Sequence, residues 1–173
     1  SVAGVERAWG RSVTTADILD LSISDTQNEI PTTASFTARG WTPAVGMDVI
    51  VRLGSTNNST RLFAGTILNV EQSYVGTPAN QFWNASCIDY TWGMNKRKIS
   101  GHYTGSATTI AQALIADYAT GYTSANVEAG MATVDGGTTF TMQPLTDALS
   151  QLAKRIGGAW YCDYYKDLHL WET

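Results

Sequence analysis

The chain has 173 residues, enough for one domain or two small ones, with 43% hydrophobic and 15% charged residues. A formal net charge of -4 argues against a protein whose business is the phosphate backbone, because that task needs clustered positive charge. The low charge sits beside abundant Thr, Ser, Asn and Gly, a mixture that favours strands and tight turns over long solvated helices.

Residues 18–23 interleave Ile18, Asp20 and Ser22 with Leu19, Leu21 and Ile23, as a strand would. Pro31 and a Thr-rich stretch lead into residues 35–38, after which Gly40, Trp41, Thr42, Pro43 and Gly46 mark a turn between two strands. Over residues 48–53, Val49, Val51 and Leu53 share one face and Asp48, Ile50 and Arg52 the other, which is the clearest strand pattern in the chain. A polar loop over 54–60 ends it. The next strand, 61–73, carries Leu62, Phe63, Ile67, Leu68 and Val70, with Gly65 inside it where a bulge or bend is the usual reason for glycine. A loop over 74–80 with Gly76 and Pro78 then leads to a return strand over 81–90. Long, bent, antiparallel strands of this kind suit a small barrel.

The character changes after Trp92, so residues 1–95 are assigned to a β-barrel-like domain and 96–173 to a mixed α+β domain. Hydroxyls over 106–109 can cap a helix in which Ile110, Leu114 and Tyr118 recur every four residues, and Thr109 with Gln112 matches a capping box. Gly121 closes it. A second helix begins after Pro144, places Asp147 in its first turn, and presents Ala148, Leu149, Leu152, Ala153 and Ile156 to a core. Lys154 and Arg155 lie in its last turn, and Gly157 and Gly158 stop it. Residues 159–164 and 168–171 form a hairpin that either packs under this helix or returns to the barrel. The expected fold class is α+β: a small antiparallel β-barrel plus a smaller mixed α/β domain with two helices and a C-terminal hairpin.

Catalytic chemistry has no visible home. His102, expected in a loop, and His169, in a strand, stand alone with no partner at metal-ligand spacing, so neither metal nor cofactor is expected. Asp163 and Asp167 bracket the final hairpin and could form an acid and base pair, but aspartates beside a turn usually cap its backbone, and that reading is preferred. No nucleophile elbow, phosphate-binding loop or dinucleotide fingerprint occurs. Cys87 and Cys162 match neither a zinc nor a redox spacing and read as buried free thiols. No apolar run approaches the roughly 20 residues of a membrane-spanning helix, and residues 1–10 lack an export-signal pattern, so no membrane partner is expected.

What remains is surface for interaction. Lys96, Arg97 and Lys98 form the only dense positive run, suited to nucleic acid passing nearby or to an acidic neighbouring subunit, though a solvated charge run is the preferred reading. The loops supply Asn57, Asn58, Tyr74 and Pro78. Asn57, Asn58 and Asn84 each begin a glycosylation triplet, which carries little meaning without a secretion signal. Trp83, Trp92, Trp160, Tyr161, Tyr164, Tyr165 and Trp171 cannot all point inward on alternating strands, and outward aromatics favour an interface or a sugar platform.

Four segments together resemble the tail hub proteins of tailed bacteriophages, a family that includes baseplate hubs and late control proteins. They are 33–40 followed by 46–53; 61–70 around Leu62, Phe63, Ala64, Gly65, Thr66 and Ile67; 87–98, where Cys87 to Trp92 precede the basic run; and 145–170. In the last, Asp147, Ala148, Leu149, Leu152, Ala153, Gly157, Gly158, then Trp160 to Asp163, and finally Asp167, Leu168 and His169 follow in order. The resemblance runs from about Ile18 to the C-terminus.

It implies a tail-tube-related barrel joined to a mixed domain, and a homotrimer that presents a pseudo-sixfold ring to the tail tube and receives the tip or spike at its other end. The implied partners are the tail tube, the tip or spike and the distal tail ring, with DNA only in transient passage, in a virion assembled in the host cytoplasm. Such hubs carry two barrels per subunit, whereas this chain has room for one, so it is expected to be either an excerpt of a longer hub, the preferred reading, or a reduced hub. Two rivals stand beside the structural role: a carbohydrate-binding module using the surface aromatics, and a peptidoglycan hydrolase of the kind fused to some hubs.

Overall fold

The computed structural model describes residues 2–7, 12–13, 18–24, 31–53, 61–74, 76 and 81–173. The chain divides into two compact units, Ser1–Asp89 and Tyr90–Thr173. This division falls before Trp92 rather than after it. The physical reason is local: Tyr90 starts a helical turn instead of ending the preceding strand, and its main-chain oxygen accepts a 2.6 Å hydrogen bond from the Tyr122 hydroxyl of the second unit.

The first unit is a seven-stranded antiparallel sheet curled into a half-barrel. Its strands are β1 (Val2–Arg7), β2 (Ser12–Val13), β3 (Ile18–Ser24), β4 (Thr33–Arg39), β5 (Asp48–Leu53), β6 (Arg61–Tyr74) and β7 (Gln81–Asp89), arranged in the order β2-β1-β5-β6-β7-β4-β3. Among the described residues β2 and β3 are therefore its two edges. Alternation decides the faces. On β4, Ala34, Phe36 and Ala38 are buried while Thr33 and Ser35 are exposed, and Phe36 stacks on Trp41 with ring centroids 5.8 Å apart. Val49, Val51, Phe63, Ile67, Ala85 and Cys87 complete the apolar layer, and fully burying a side chain such as Phe63 or Ile67 contributes roughly 1.5–3 kcal/mol. Asp89 ties the end of β7 to the start of β4, its Oδ2 accepting from the Thr32 amide at 2.8 Å.

The bulge expected at Gly65 lies slightly further along β6. The register with β7 slips between Ile67 and Asn69, whereas Gly65 is required because a Cβ there would collide with the main-chain oxygen of Ile88.

The second unit begins with the short turn α1 (Tyr90–Gly93) and a 3-10 turn (Met94–Lys96). It continues through β8 (Lys98–Tyr103), α2 (Ala107–Tyr118), β9 (Thr123–Val127), β10 (Thr138–Pro144), α3 (Leu145–Arg155), β11 (Ala159–Cys162) and β12 (Asp167–Trp171). The expected helices and hairpin are present, and β8, β9 and β10 are added to them. His102 consequently lies on β8 rather than in a loop, with Nδ1 2.9 Å from the Thr139 hydroxyl.

The α2 cap is Ser106, whose hydroxyl accepts from the Thr109 amide at 3.2 Å, so Thr109 is the capped residue and not the cap. On α3, Leu145, Ala148, Leu149, Leu152 and Ala153 are buried against Ile110 and Leu114 of α2 and Leu168 and Leu170 of β12. The N-terminus of α3 is closed by Asn95, whose Oδ1 accepts from the Thr146 amide at 3.3 Å and hydroxyl at 2.6 Å. Arg155 donates to the main-chain oxygens of Gly137 and Asp135, satisfying carbonyls of the turn before β10. The C-terminal hairpin stays in this unit, where β12 pairs antiparallel with β11 and parallel with β9 in a three-stranded sheet.

Candidate assembly surfaces

The face of the half-barrel opposite its apolar layer is polar in register. Asp20 on β3 stands opposite Thr37 on β4, Thr37 opposite Asn84 on β7, and Asn84 opposite Glu71 on β6. One step along, Ser22, Ser35, Ser86 and Asn69 form a second row across the same strands. Thr37 donates to Asn84 Oδ1 at 3.0 Å and Asn69 donates to Glu71 Oε1 at 3.1 Å. All of these side chains except Ser22 line a shallow groove of about 240 Å3 that holds two carboxylates, Asp20 and Glu71, and no cationic side chain. Hydroxyls and carboxamides at this density can hold water or pair with polar groups. No nucleophile and base are poised together there.

Among the register shifts of this sheet, three leave a leucine outside the ladder. The β3–β4 register skips Leu19, the β5–β6 register skips Leu62 and the β6–β7 register skips Leu68. A bulged residue is freed from the pleat that would bury it. These three are 53%, 41% and 37% exposed, which makes them apolar contacts displayed on a polar sheet. Sequence reasoning placed Leu19 and Leu68 within strands but not outside them, since a one-residue slip is set by the partner strand.

The predicted contact residues are divided between the units. Lys96 ends the 3-10 turn with its Nζ 5.1 Å from the Trp92 ring centroid, Arg97 follows it, and Lys98 opens β8 opposite Pro144; all three are exposed. Tyr74 ends β6 and is exposed, taking a hydrogen bond from the Gln72 side chain. Asn57, Asn58 and Pro78 lie outside the described residues.

The two hairpin aspartates are held by the backbone. Asp163 Oδ1 accepts from the amides of Tyr165 (2.7 Å) and Asp167 (2.9 Å), and its Oδ2 is 3.3 Å from His169 Nε2. Asp167 accepts from the Ala125 amide at 2.9 Å, the Asn126 amide at 3.1 Å, and the side chains of Thr123 and Asn126. Burial of Asp167 pushes its carboxyl upward, but these four hydrogen bonds outweigh it and hold the group below the usual carboxylate range. Its task is to fasten β9 to β12. Cys87 is buried, which pushes its thiol up to about 12, while Cys162 is only half-buried and its thiol donates to the Asp163 main-chain oxygen at 3.6 Å.

No family model and no curated protein matches the sequence. Among solved structures, the 43 kDa tail protein of prophage MuSo2 from Shewanella oneidensis matches with a TM-score of 0.74 at 14% identity, over 98% of this chain and 52% of that one. The chain has a phage tail-protein fold. The same fold is found in the tail protein from Neisseria meningitidis, with a TM-score of 0.68 at 14% identity over 98% of this chain and 50% of that one. It extends to the E. coli c3393 protein, a component of the type VI secretion system that exhibits structural similarity to the T4 bacteriophage tail proteins gp27 and gp5. That match has a TM-score of 0.56 at 11% identity and covers 87% of this chain and 48% of that one. The chain thus spans about half the length of the solved tail proteins it matches.

Proposed function

We propose that this chain is a structural part of a phage tail or tail-like particle, a hub segment that joins the tail tube to the tip or spike and performs no catalysis. The observation that carries this reading is the tail-protein fold over 98% of the chain. The half-barrel with two edge strands supports it, because an edge presents unpaired backbone groups that a neighbouring strand can satisfy. The leucines at the three bulges add apolar area of the kind that permanent interfaces bury.

In this reading the first unit is the tail-tube-related domain and the second the mixed domain. Three copies close a ring around a channel through which DNA passes transiently. The segments 54–60 and 74–80, with Asn57, Asn58, Tyr74 and Pro78, meet adjoining rings, and Lys96, Arg97 and Lys98 meet an acidic neighbouring subunit. The remaining partners are the tip or spike and the distal tail ring, in a particle assembled in the host cytoplasm.

Immunogold electron microscopy of particles carrying an epitope-tagged chain tests the assignment. Label at the tip end of the tube is expected. Particles that are complete but unlabelled would refute a structural role in the tail.

A further inference from the structure

The three-stranded sheet of the second unit turns Leu168 and Leu170 into the core, so the alternate residues of β12, His169 and Trp171, face outward. Tyr161 pairs with His169 across the β11–β12 ladder and Asn126 pairs with it across the parallel β12–β9 ladder. The rings form one cluster: Tyr161 stacks on His169 with centroids 4.3 Å apart at 12°, and Trp171 stands edge-on to Tyr161 at 5.8 Å and 74°. Tyr161 is 48% and Trp171 37% exposed.

Acidic side chains flank this cluster. Asp163, just beyond β11, reaches the rings through its contact with His169 Nε2. Glu128, one residue past the buried Val127, follows the outward positions of β9, and its Oε2 accepts from the Glu172 amide at 2.8 Å. The strands Thr123–Val127, Ala159–Cys162 and Asp167–Trp171 contain no lysine or arginine. The nearby Lys166 sits in the hairpin turn with its Nζ 4.4 Å from the Tyr90 ring centroid. The Tyr161 hydroxyl is pushed upward by burial and then by the negative charges of Asp163 and Asp167.

We propose that this outward face binds an arginine-bearing segment of a partner protein, with a guanidinium against the exposed rings of Tyr161 and Trp171 and within reach of the flanking carboxylates. A planar guanidinium stacks on aromatic rings and pairs with carboxylates in a way that a compact ammonium does not, so charge complementarity and ring geometry select arginine over lysine. The geometry disfavours a sugar, because His169 covers one face of Tyr161 and Trp171 is turned nearly perpendicular, leaving no flat pair of open rings.

Calorimetry on the full chain tests it, using an Arg-Gly repeat peptide, the matching Lys-Gly peptide and chitohexaose, with thermal melts to show that each variant is folded. The Arg-Gly peptide binds at one saturable site and the Lys-Gly peptide binds several-fold more weakly. Trp171→Ala and Glu128→Gln each weaken the Arg-Gly peptide by about tenfold, while Asp20→Asn, a carboxylate removed from the other unit, leaves it unchanged. The proposal fails if the Arg-Gly peptide does not saturate a site, or if Asp20→Asn weakens it as much as the other two variants do. It also fails if chitohexaose alone binds in a Trp171-dependent way.

Discussion

Gly65 lies against the main-chain oxygen of Ile88, so close that a Cβ at this position would collide with it. Backbone on both sides leaves nothing that can rotate away. Gly65→Ala is therefore expected to destabilise the first unit by roughly 1–3 kcal/mol through overpacking, read as a lower urea midpoint. An unchanged midpoint would mean that β6 and β7 can separate here without cost.

Asp167 fastens β9 to β12 with a charged carboxylate, so Asp167→Asn should cost about 1.5–3 kcal/mol, the range for hydrogen bonds to charged groups. The sign of the pH effect follows from the lowered carboxyl. Its contribution is complete above the unfolded value near about pH 4 and is lost as pH falls through the lower folded value. Denaturation midpoints from pH 7 downward should fall less steeply in Asp167→Asn than in the parent. Parallel curves would show that the charge is not what holds the strands.

Leu19, Leu62 and Leu68 support no core, so replacing them with serine should change stability by no more than about 0.5 kcal/mol each. Assembly should suffer instead, because the apolar contacts at the bulges are removed. Sedimentation velocity of the triple variant beside the parent checks both halves: the melts agree and the oligomer is lost. An oligomer that persists in the triple variant would remove the bulges from the interface.

Much of the fold was legible where burial imposes a clean period. Val49 and Val51 alternate with Asp48 and Ile50 on β5, and the apolar stripe of α3 from Ala148 to Ala153 lies between Asp147 and the glycines at 157 and 158. The strands β8 and β10 escaped because Gly101, Met142 and Pro144 interrupt their alternation, Met142 even adopting a φ of 46° at a bulge. On β9 only Val127 is buried, so composition offers no apolar face to read. A bulge or bend was legible on β6 from Gly65, but the positions of the slips were not, since Leu19, Leu62 and Leu68 look like ordinary core leucines until the partner's register is known. The turn-cap reading holds for Asp163, which bonds amides two and four residues away, and not for Asp167, whose carboxylate bonds β9 instead. The tie of Asp167 to Thr123 and Asn126 joins residues more than forty positions apart and needed the fold.

The solution mass of the chain across a concentration series, by multi-angle light scattering, tests the hub reading most directly. The half-barrel with its open edges and bulged leucines predicts a trimer that persists on dilution. A strict monomer at the highest soluble concentration would contradict ring formation by this chain.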